Sequence, residues 1–220
     1  ADLRKEGAAY DLPLAIGILA ADGQIPNDLL ERYMIMGELS LDGTVRSIRG
    51  ALPIAIQARE EGFEGFILPE ENAREAAVVN ALRVHAAHSL RGVIDMLSGQ
   101  ASLPLVEVDT REEFYQAQGA SVFDFSEVKG QESVKRALEV AAAGGHNLLM
   151  IGAPGSGKSM MAKRLPSILP PFTLRESLET TKIYSVAGKL SRDVTLLATR
   201  PFRAPHHSIS PVALVGGGSN

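Results

Sequence analysis

Cysteine is absent from this sequence. That excludes disulfides and thiolate metal sites, and it fits a cytoplasmic chain. A basic excess is absent too: 22 Lys and Arg stand against 26 Asp and Glu, a formal charge of -4. No global positive field draws the chain onto nucleic acid or an anionic membrane, although a local basic patch stays open. Long apolar runs are missing. The stretch Leu12 to Ala21 is too short to cross a bilayer, which takes roughly 20 apolar residues. No charged leader precedes it, and Asp11 and Pro13 mark a helix start instead. The expectation is a soluble chain with no targeting signal and no membrane partner. Internal repeats and low-complexity segments are also lacking.

What is present is an ordinary globular balance, 45% hydrophobic and 22% charged residues, which argues against disorder. At 220 residues the chain has room for one or two domains. It opens in charged sequence without Met and closes on Gly216-Gly217-Gly218-Ser219-Asn220, so it reads as a piece of a longer protein.

The pattern of elements divides at two places. In residues 1–99 a helix capped by Asp11 and ending at Gly23 precedes a strand over Met34 to Leu41 and a turn at Asp42-Gly43. A helix over Ala51 to Glu61, a buried strand at Gly65 to Leu68, a helix over Glu70 to Asn80, a strand over Leu82 to Ala86 and a helix capped by Ser89 follow. Helices alternating with short strands indicate an α/β domain. Glu70, Glu71 and Glu75 suit the start of their helix through its dipole. Residues 100–120 read as a connector with a strand-like piece at Leu103 to Val108. Residues 121–220 form a second part. There a helix over Gln131 to Ala143 leads to an apolar strand at Asn147 to Ile151, a glycine-rich loop, and a helix from Gly157 to about Ile168. Thr173 and Glu176 form a capping-box pair for a last helix.

The loop Gly152-Ala153-Pro154-Gly155-Ser156-Gly157-Lys158-Ser159 fits G-x-x-x-x-G-K-[ST] at every fixed position, in the strand–loop–helix context the chemistry requires. Glycines let the backbone turn tightly and present N–H groups to phosphates, and the following helix adds positive dipole. Lys158 reaches the β- and γ-phosphates, Ser159 offers its hydroxyl to Mg²⁺, and Met160 completes the expected ATP-binding set. A glycine-rich turn without a ligand is the bland alternative, and the sequence context disfavours it. An acidic pair at the end of a later strand, which hydrolysis needs, is missing: the acidic residues after Ser159 are Glu176, Glu179 and Asp193. The sequence therefore predicts nucleotide binding with Mg²⁺ and weak or no hydrolysis by this stretch alone.

Residues Phe125 to Gln131, Gly145 to Leu149, the phosphate loop and Arg200 to Ser208 resemble the magnesium-chelatase-like branch of the AAA+ ATPases. That resemblance implies that Val128, Lys129, Gly130 and Gln131 lie where the adenine is held. Glu38 to Gly43, Ile48-Arg49-Gly50 and Phe66 to Asn72 resemble the proteolytic domain of the Lon family, which implies a ribosomal-S5 domain 2-like fold. The fold class expected is thus α/β, a Lon protease-like domain followed by a truncated P-loop AAA+ domain. The pair in this order resembles the YifB/ComM family. The resemblance implies a homo-hexameric parent acting on DNA as a helicase that promotes branch migration in natural transformation.

Lon-type proteolysis needs a Ser activated by a Lys. The nucleophile position falls on Leu14 and the lysine position near Leu52, and Ser40, Ser47 and Lys5 do not match the motif. The first domain is therefore expected to be structural or partner-binding. His206 and His207 are adjacent and point to different faces, a poor chelating pair. With Arg200 and Arg203 they form a candidate DNA-phosphate contact, against the alternative of a packed structural loop. His85, His88, Ser89 and Asp95 contain triad residue types, but Ser89 reads as a helix cap. The readings carried forward are a DNA-processing AAA+ motor, a magnesium-chelatase subunit that inserts Mg²⁺ into a porphyrin, a Lon-like ATP-dependent protease with its dyad lost, and a non-catalytic nucleotide-binding scaffold.

Overall fold

The computed structural model describes residues 8–118, 123–191, 194–206, 208–210 and 212. The chain divides into two compact units. One is Ala1–Gly119 with Thr173–Ala198, and the other is Ala120–Phe172 with Thr199–Asn220.

The first unit opens with a single 3-10 turn, Ala8–Tyr10, that runs into α1 (Asp11–Ala21). Asp11 is the first helical residue rather than the cap, a position Tyr10 takes without a side-chain hydrogen bond. A carboxylate in the first turn still suits the helix dipole. The strand expected over 34–41 is two strands in two sheets, β1 (Tyr33–Ile35) and β2 (Glu38–Leu39). Gly37 separates them. A Cβ there would lie 2.9 Å from Val45 Cγ1 and 3.0 Å from Leu12 Cδ2, so only glycine lets the chain pass this close. β2 pairs antiparallel with β3 (Val45–Arg46) across the predicted turn, where Gly43 has φ 85°. The Asp42 carboxylate accepts the Thr44 N–H at 2.9 Å, which holds its pKa below the usual carboxylate range.

After α2 (Ala51–Glu60) come β4 (Gly65–Pro69), α3 (Glu70–Ala76), β5 (Arg83–Ala87) and α4 (Leu90–Leu97). β1, β4 and β5 run parallel, and β6 (Leu105–Val106) adds antiparallel to β5. β4 lies inside this sheet and is buried at every residue, as a continuous apolar run implies for a parallel strand covered on both faces. Leu12, Ile16, Ile35, Ile67, Val93 and Leu97 form its core. Ser89 caps α4 by accepting the Gly92 N–H at 3.2 Å, as predicted. The stretch read as a connector with a strand-like piece at Leu103 to Val108 holds β6 there and carries further structure. Beyond β6 it forms α5 (Thr110–Ala117), capped by Asp109. Thr110 is buried and donates to Val78 O at 2.8 Å, and Phe114 is buried as well.

The second unit has α6 (Glu132–Gly144) and α7 (Lys158–Arg164). Gly145 at φ 61° closes α6, with the His146 N–H donating to Ala141 O at 2.9 Å. Phe125, Val128, Leu138 and Met161 form a small core, and Arg164 reaches Glu127 at 2.5 Å. The buried strand expected at 147–151 is not there: no strand pairs with it among the described residues. Met150 packs on the core while Leu149 and Ile151 are 84% and 88% exposed. A strand is held by its neighbours, and this unit supplies none among the described residues.

The last helix, α8 (Leu174–Val186), carries the predicted Thr173–Glu176 capping box but belongs to the first unit rather than the second. Its packing on α2 explains why. Ser177, Thr181 and Ser185 are buried and all satisfied. Ser177 donates to Leu197 O at 2.8 Å, Thr181 accepts the Leu197 N–H at 3.0 Å, and Ser185 donates to the Glu75 carboxylate. Glu75 also accepts the Leu52 N–H at 2.9 Å, so its role is to anchor α8 as well as to sit on α3.

Two outcomes test this packing. A Cβ on Gly65 would lie 2.4 Å from the Tyr33 ring and 2.8 Å from Arg83 O, so Gly65→Ala is expected to cost about 1–3 kcal/mol in urea unfolding. Burial pushes the His85 imidazolium below its ordinary 6.5, with the Arg83 charge adding to the shift and the Leu103 backbone opposing it. The ring is therefore neutral in both states above that value. As pH falls through it the unfolded chain takes the proton first, and the folded state loses stability. The urea midpoint should drop as pH falls from 6.5 toward 5, and His85→Phe should flatten that drop. The carboxylates with lowered pKa, Asp42, Glu64 and Asp124, titrate below this window.

Candidate functional site

The loop between 152 and 158 depends on its glycines. Gly155 and Gly157 have φ 81° and 87°, a region that residues with a Cβ enter at a cost. A Cβ on Gly152 would lie 3.0 Å from Ser156 Oγ. The loop delivers Lys158 to the first position of α7. The ammonium then folds back over the loop and uses all three protons. It donates to Gly152 O and Ala153 O at 2.8 Å each, and to Ser156 Oγ at 3.2 Å. Ala153, Pro154, Ser159 and Met160 are exposed.

The segment before α6 meets this loop. Val128 is buried in the small core, while Lys129, Gly130 and Gln131 are exposed. Gln131 has φ 58° and ψ 40° at the N-cap of α6, and its Nε2 donates to Ser156 O at 3.3 Å. The sequence placed Gln131 near a base; it gave no sign of the left-handed backbone or of the contact with Ser156.

A glycine-rich turn with an ammonium held over it suits an oxyanion. A phosphate oxygen fits by taking the third, longest hydrogen bond of Lys158 from Ser156 Oγ, while the two carbonyls keep the ammonium aimed. The exposed Ser159 hydroxyl, next along the chain, is open to a divalent cation that accompanies the phosphates. No acidic partner completes the set among the described residues: Glu176 is spent in the capping box, Glu179 is exposed on α8, and Asp193 lies outside the described residues. Groups of three or more metal-ligating side chains are likewise absent among them, and no helix there is long and apolar enough to cross a membrane.

The other candidates separate. Arg200 donates from Nε to Pro170 O at 2.8 Å, and its guanidinium covers the Phe172 ring at 4.6 Å, so it braces its own unit. Arg203 is exposed, His206 Nδ1 is 2.7 Å from Ser208 Oγ, and His207 lies outside the described residues. In the first unit the aligned nucleophile position, Leu14, is 63% exposed, and Leu52 is fully buried. Neither side chain can carry acyl transfer, and Lys5 lies outside the described residues. The triad types are dispersed among other tasks: Ser89 caps α4, Asp95 pairs with Arg91 at 2.9 Å, and His88 lies 3.5 Å from Glu70.

Residues 124–220 match the family described as "Magnesium chelatase, subunit ChlI", and residues 1–72 match "Subunit ChlI of Mg-chelatase". The competence protein ComM of Haemophilus influenzae is 42% identical over 219 residues, covering 100% of this chain and 43% of that protein. YifB of Salmonella typhimurium is 42% identical over 221 residues, covering 100% of this chain and 42% of that protein. An archaeal Lon protease of Halobacterium salinarum is 38% identical over 58 residues, 26% of this chain and 8% of that one. The chain spans less than half the length of ComM and YifB.

Proposed function

The chain belongs to the YifB/ComM family of magnesium-chelatase-like proteins, and on that premise we propose that it carries the nucleotide-binding part of an ATP-dependent AAA+ motor acting on DNA. The observation that carries the reading is Lys158, aimed by the Gly152 and Ala153 carbonyls at 2.8 Å and with one replaceable partner. In this reading Gly152, Ala153, Pro154, Gly155, Ser156, Gly157 and Lys158 hold the phosphates of ATP or ADP. Ser159 meets Mg²⁺, Met160 borders the site, and the segment Val128, Lys129, Gly130 and Gln131 runs beside the adenine. Bound ATP supplies a hydrolysable phosphoanhydride. The residues here bind and orient it, and the acidic pair that activates water comes from elsewhere in a protein of the relatives' length.

We read residues 1–99 as an S5 domain 2-like, Lon-like domain without proteolytic activity, and the P-loop unit as the start of an AAA+ domain. The assembly is a cytoplasmic homo-hexamer formed around nucleotide, with remodelling of DNA branch points as its work. Arg203 and His206 are the described residues through which the basic segment would reach DNA phosphate. A second reading, a chelatase subunit, is favoured by the family description over 124–220. ATP hydrolysis by a protein of full family length decides between them. Stimulation by forked DNA supports the motor. Indifference to DNA together with Mg²⁺ insertion into a porphyrin replaces it with the chelatase.

For the chain itself, Mg·ATP at 100 times its dissociation constant should stabilise the folded state by about 2.7 kcal/mol, read as a rise in melting temperature. Lys158→Ala should abolish the rise. An equal rise in both chains would place the nucleotide away from the loop, and no rise in either would end the nucleotide-binding reading.

A further inference from the structure

Gln131 is a poor choice for the conformation it adopts. At φ 58° and ψ 40° it sits in the left-handed region, which Ala81 is the only other described non-glycine residue to share. Gly130 before it is also at positive φ, 70°. A glycine would take this position without strain, and Ser, Thr, Asp or Asn would cap α6. Gln131 makes no side-chain cap, and its side chain is exposed, so neither capping nor burial explains the strain. A held backbone outlier of this kind points to a task elsewhere.

The task lies 25 positions along the chain. The Gln131 carboxamide donates to Ser156 O at 3.3 Å and lies 3.6 Å from where a Cβ of Gly157 would be. Ser156 is therefore gripped at both ends, its carbonyl by Gln131 and its hydroxyl by Lys158 at 3.2 Å. That hydroxyl is the contact a phosphate displaces. With the Lys158 bond gone, the Gln131 bond still fixes the Ser156 peptide.

We propose that Gln131 is a positioning residue that holds the phosphate loop in its binding geometry through the Ser156 carbonyl, so that a nucleoside di- or triphosphate meets a loop already ordered. The proposal rests on the nucleotide-binding reading above. Affinity gains because the loop does not have to be ordered at the moment of binding. The strain at Gln131 is the cost of aiming its side chain across the gap.

The test compares the 220-residue chain with its Gln131→Gly and Gln131→Glu variants. It reads affinity for a fluorescent ADP analogue and melting temperature without nucleotide. Glycine relieves the backbone strain and deletes the brace, so nucleotide-free melting should not fall while affinity weakens about fivefold, the loss of one neutral hydrogen bond. Glutamate keeps the length but turns an acceptor toward the carbonyl and adds negative charge near the phosphates, so its affinity should fall further. A purely structural brace predicts instead that melting and affinity fall together in the glycine variant, and that outcome overturns the proposal. Unchanged affinity in both variants beside a binding parent chain also overturns it while leaving the nucleotide reading intact. Absence of binding by the parent chain ends both.

Discussion

A β-strand is stable only where another strand takes up its backbone hydrogen bonds, and this constraint governs both units. In the first, β4 has β1 on one side and β5 on the other, and the apolar side chains of Phe66, Ile67 and Leu68 are wholly buried. Its neighbours fit closely around this strand. Tyr33 lies over Gly65 because the register sets them side by side, and α1 closes the core with Leu12 and Ile16. In the second unit the equally apolar 147–151 finds no partner strand among the described residues, and it leaves Leu149 and Ile151 in solvent. The phosphate loop that follows is nonetheless formed, because its geometry comes from glycine backbones and from Lys158 rather than from a sheet.

The polar groups inside the first unit show how the same accounting works away from strands. α8 buries Ser177, Thr181 and Ser185, three hydroxyls that would destabilise the unit if left unpaired. Each is matched, to Leu197 backbone groups or to Glu75. Glu75 in turn gathers the Leu52 N–H and the Asn72 amide as well as Ser185. Buried Asn72 also accepts the Ile48 N–H and donates to Ile48 O. One carboxylate and one carboxamide thus tie α3 to the loop before α2, to α2 itself and to a helix more than 100 residues later. The chain crosses between the units at 119/120, 172/173 and 198/199, so α8 joins the first unit although the phosphate loop lies between them in sequence.

Local signals were legible and long-range ones were not. The Asp42-Gly43 turn, the Ser89 cap and the Thr173–Glu176 box were readable because each is decided by residues within three positions of one another. The glycine-rich turn at 152–158 was readable for the same reason, since its left-handed residues are Gly155 and Gly157. The break between β1 and β2 was hidden because it depends on how closely Gly37 approaches Val45 and Leu12, a tertiary fact. The exposed 147–151 was misread because periodicity reports apolar character but not whether a partner strand exists. The move of α8 was illegible because Ser177, Thr181 and Ser185 carry no periodic apolar signal. The sequence left Arg200 between a phosphate contact and a packed structural loop, and its contacts with the Pro170 carbonyl and the Phe172 ring depend on residues some 30 positions away.

The site residues also divide by what holds them. Lys158, Gly155 and Gly157 are fixed by short-range geometry, so the motif suffices to name them. Gln131 adopts a left-handed backbone at the start of α6 and donates to Ser156 O, a contact 25 positions away that its neighbours along the chain do not announce. Conversely, 58 residues of the chain are 38% identical to an archaeal Lon protease, while apolar Leu14 and Leu52 occupy the positions aligned with that family's nucleophile and lysine. A fold sets where side chains are presented, and the identity of a few of them decides whether chemistry follows. In this chain the scaffold with the fuller sheet carries no nucleophile at the aligned positions, and the unit without a sheet among its described residues carries the ordered cation. The fuller sheet and the left-handed glycine loop therefore lie in different units, and the left-handed Gln131 lies with the loop.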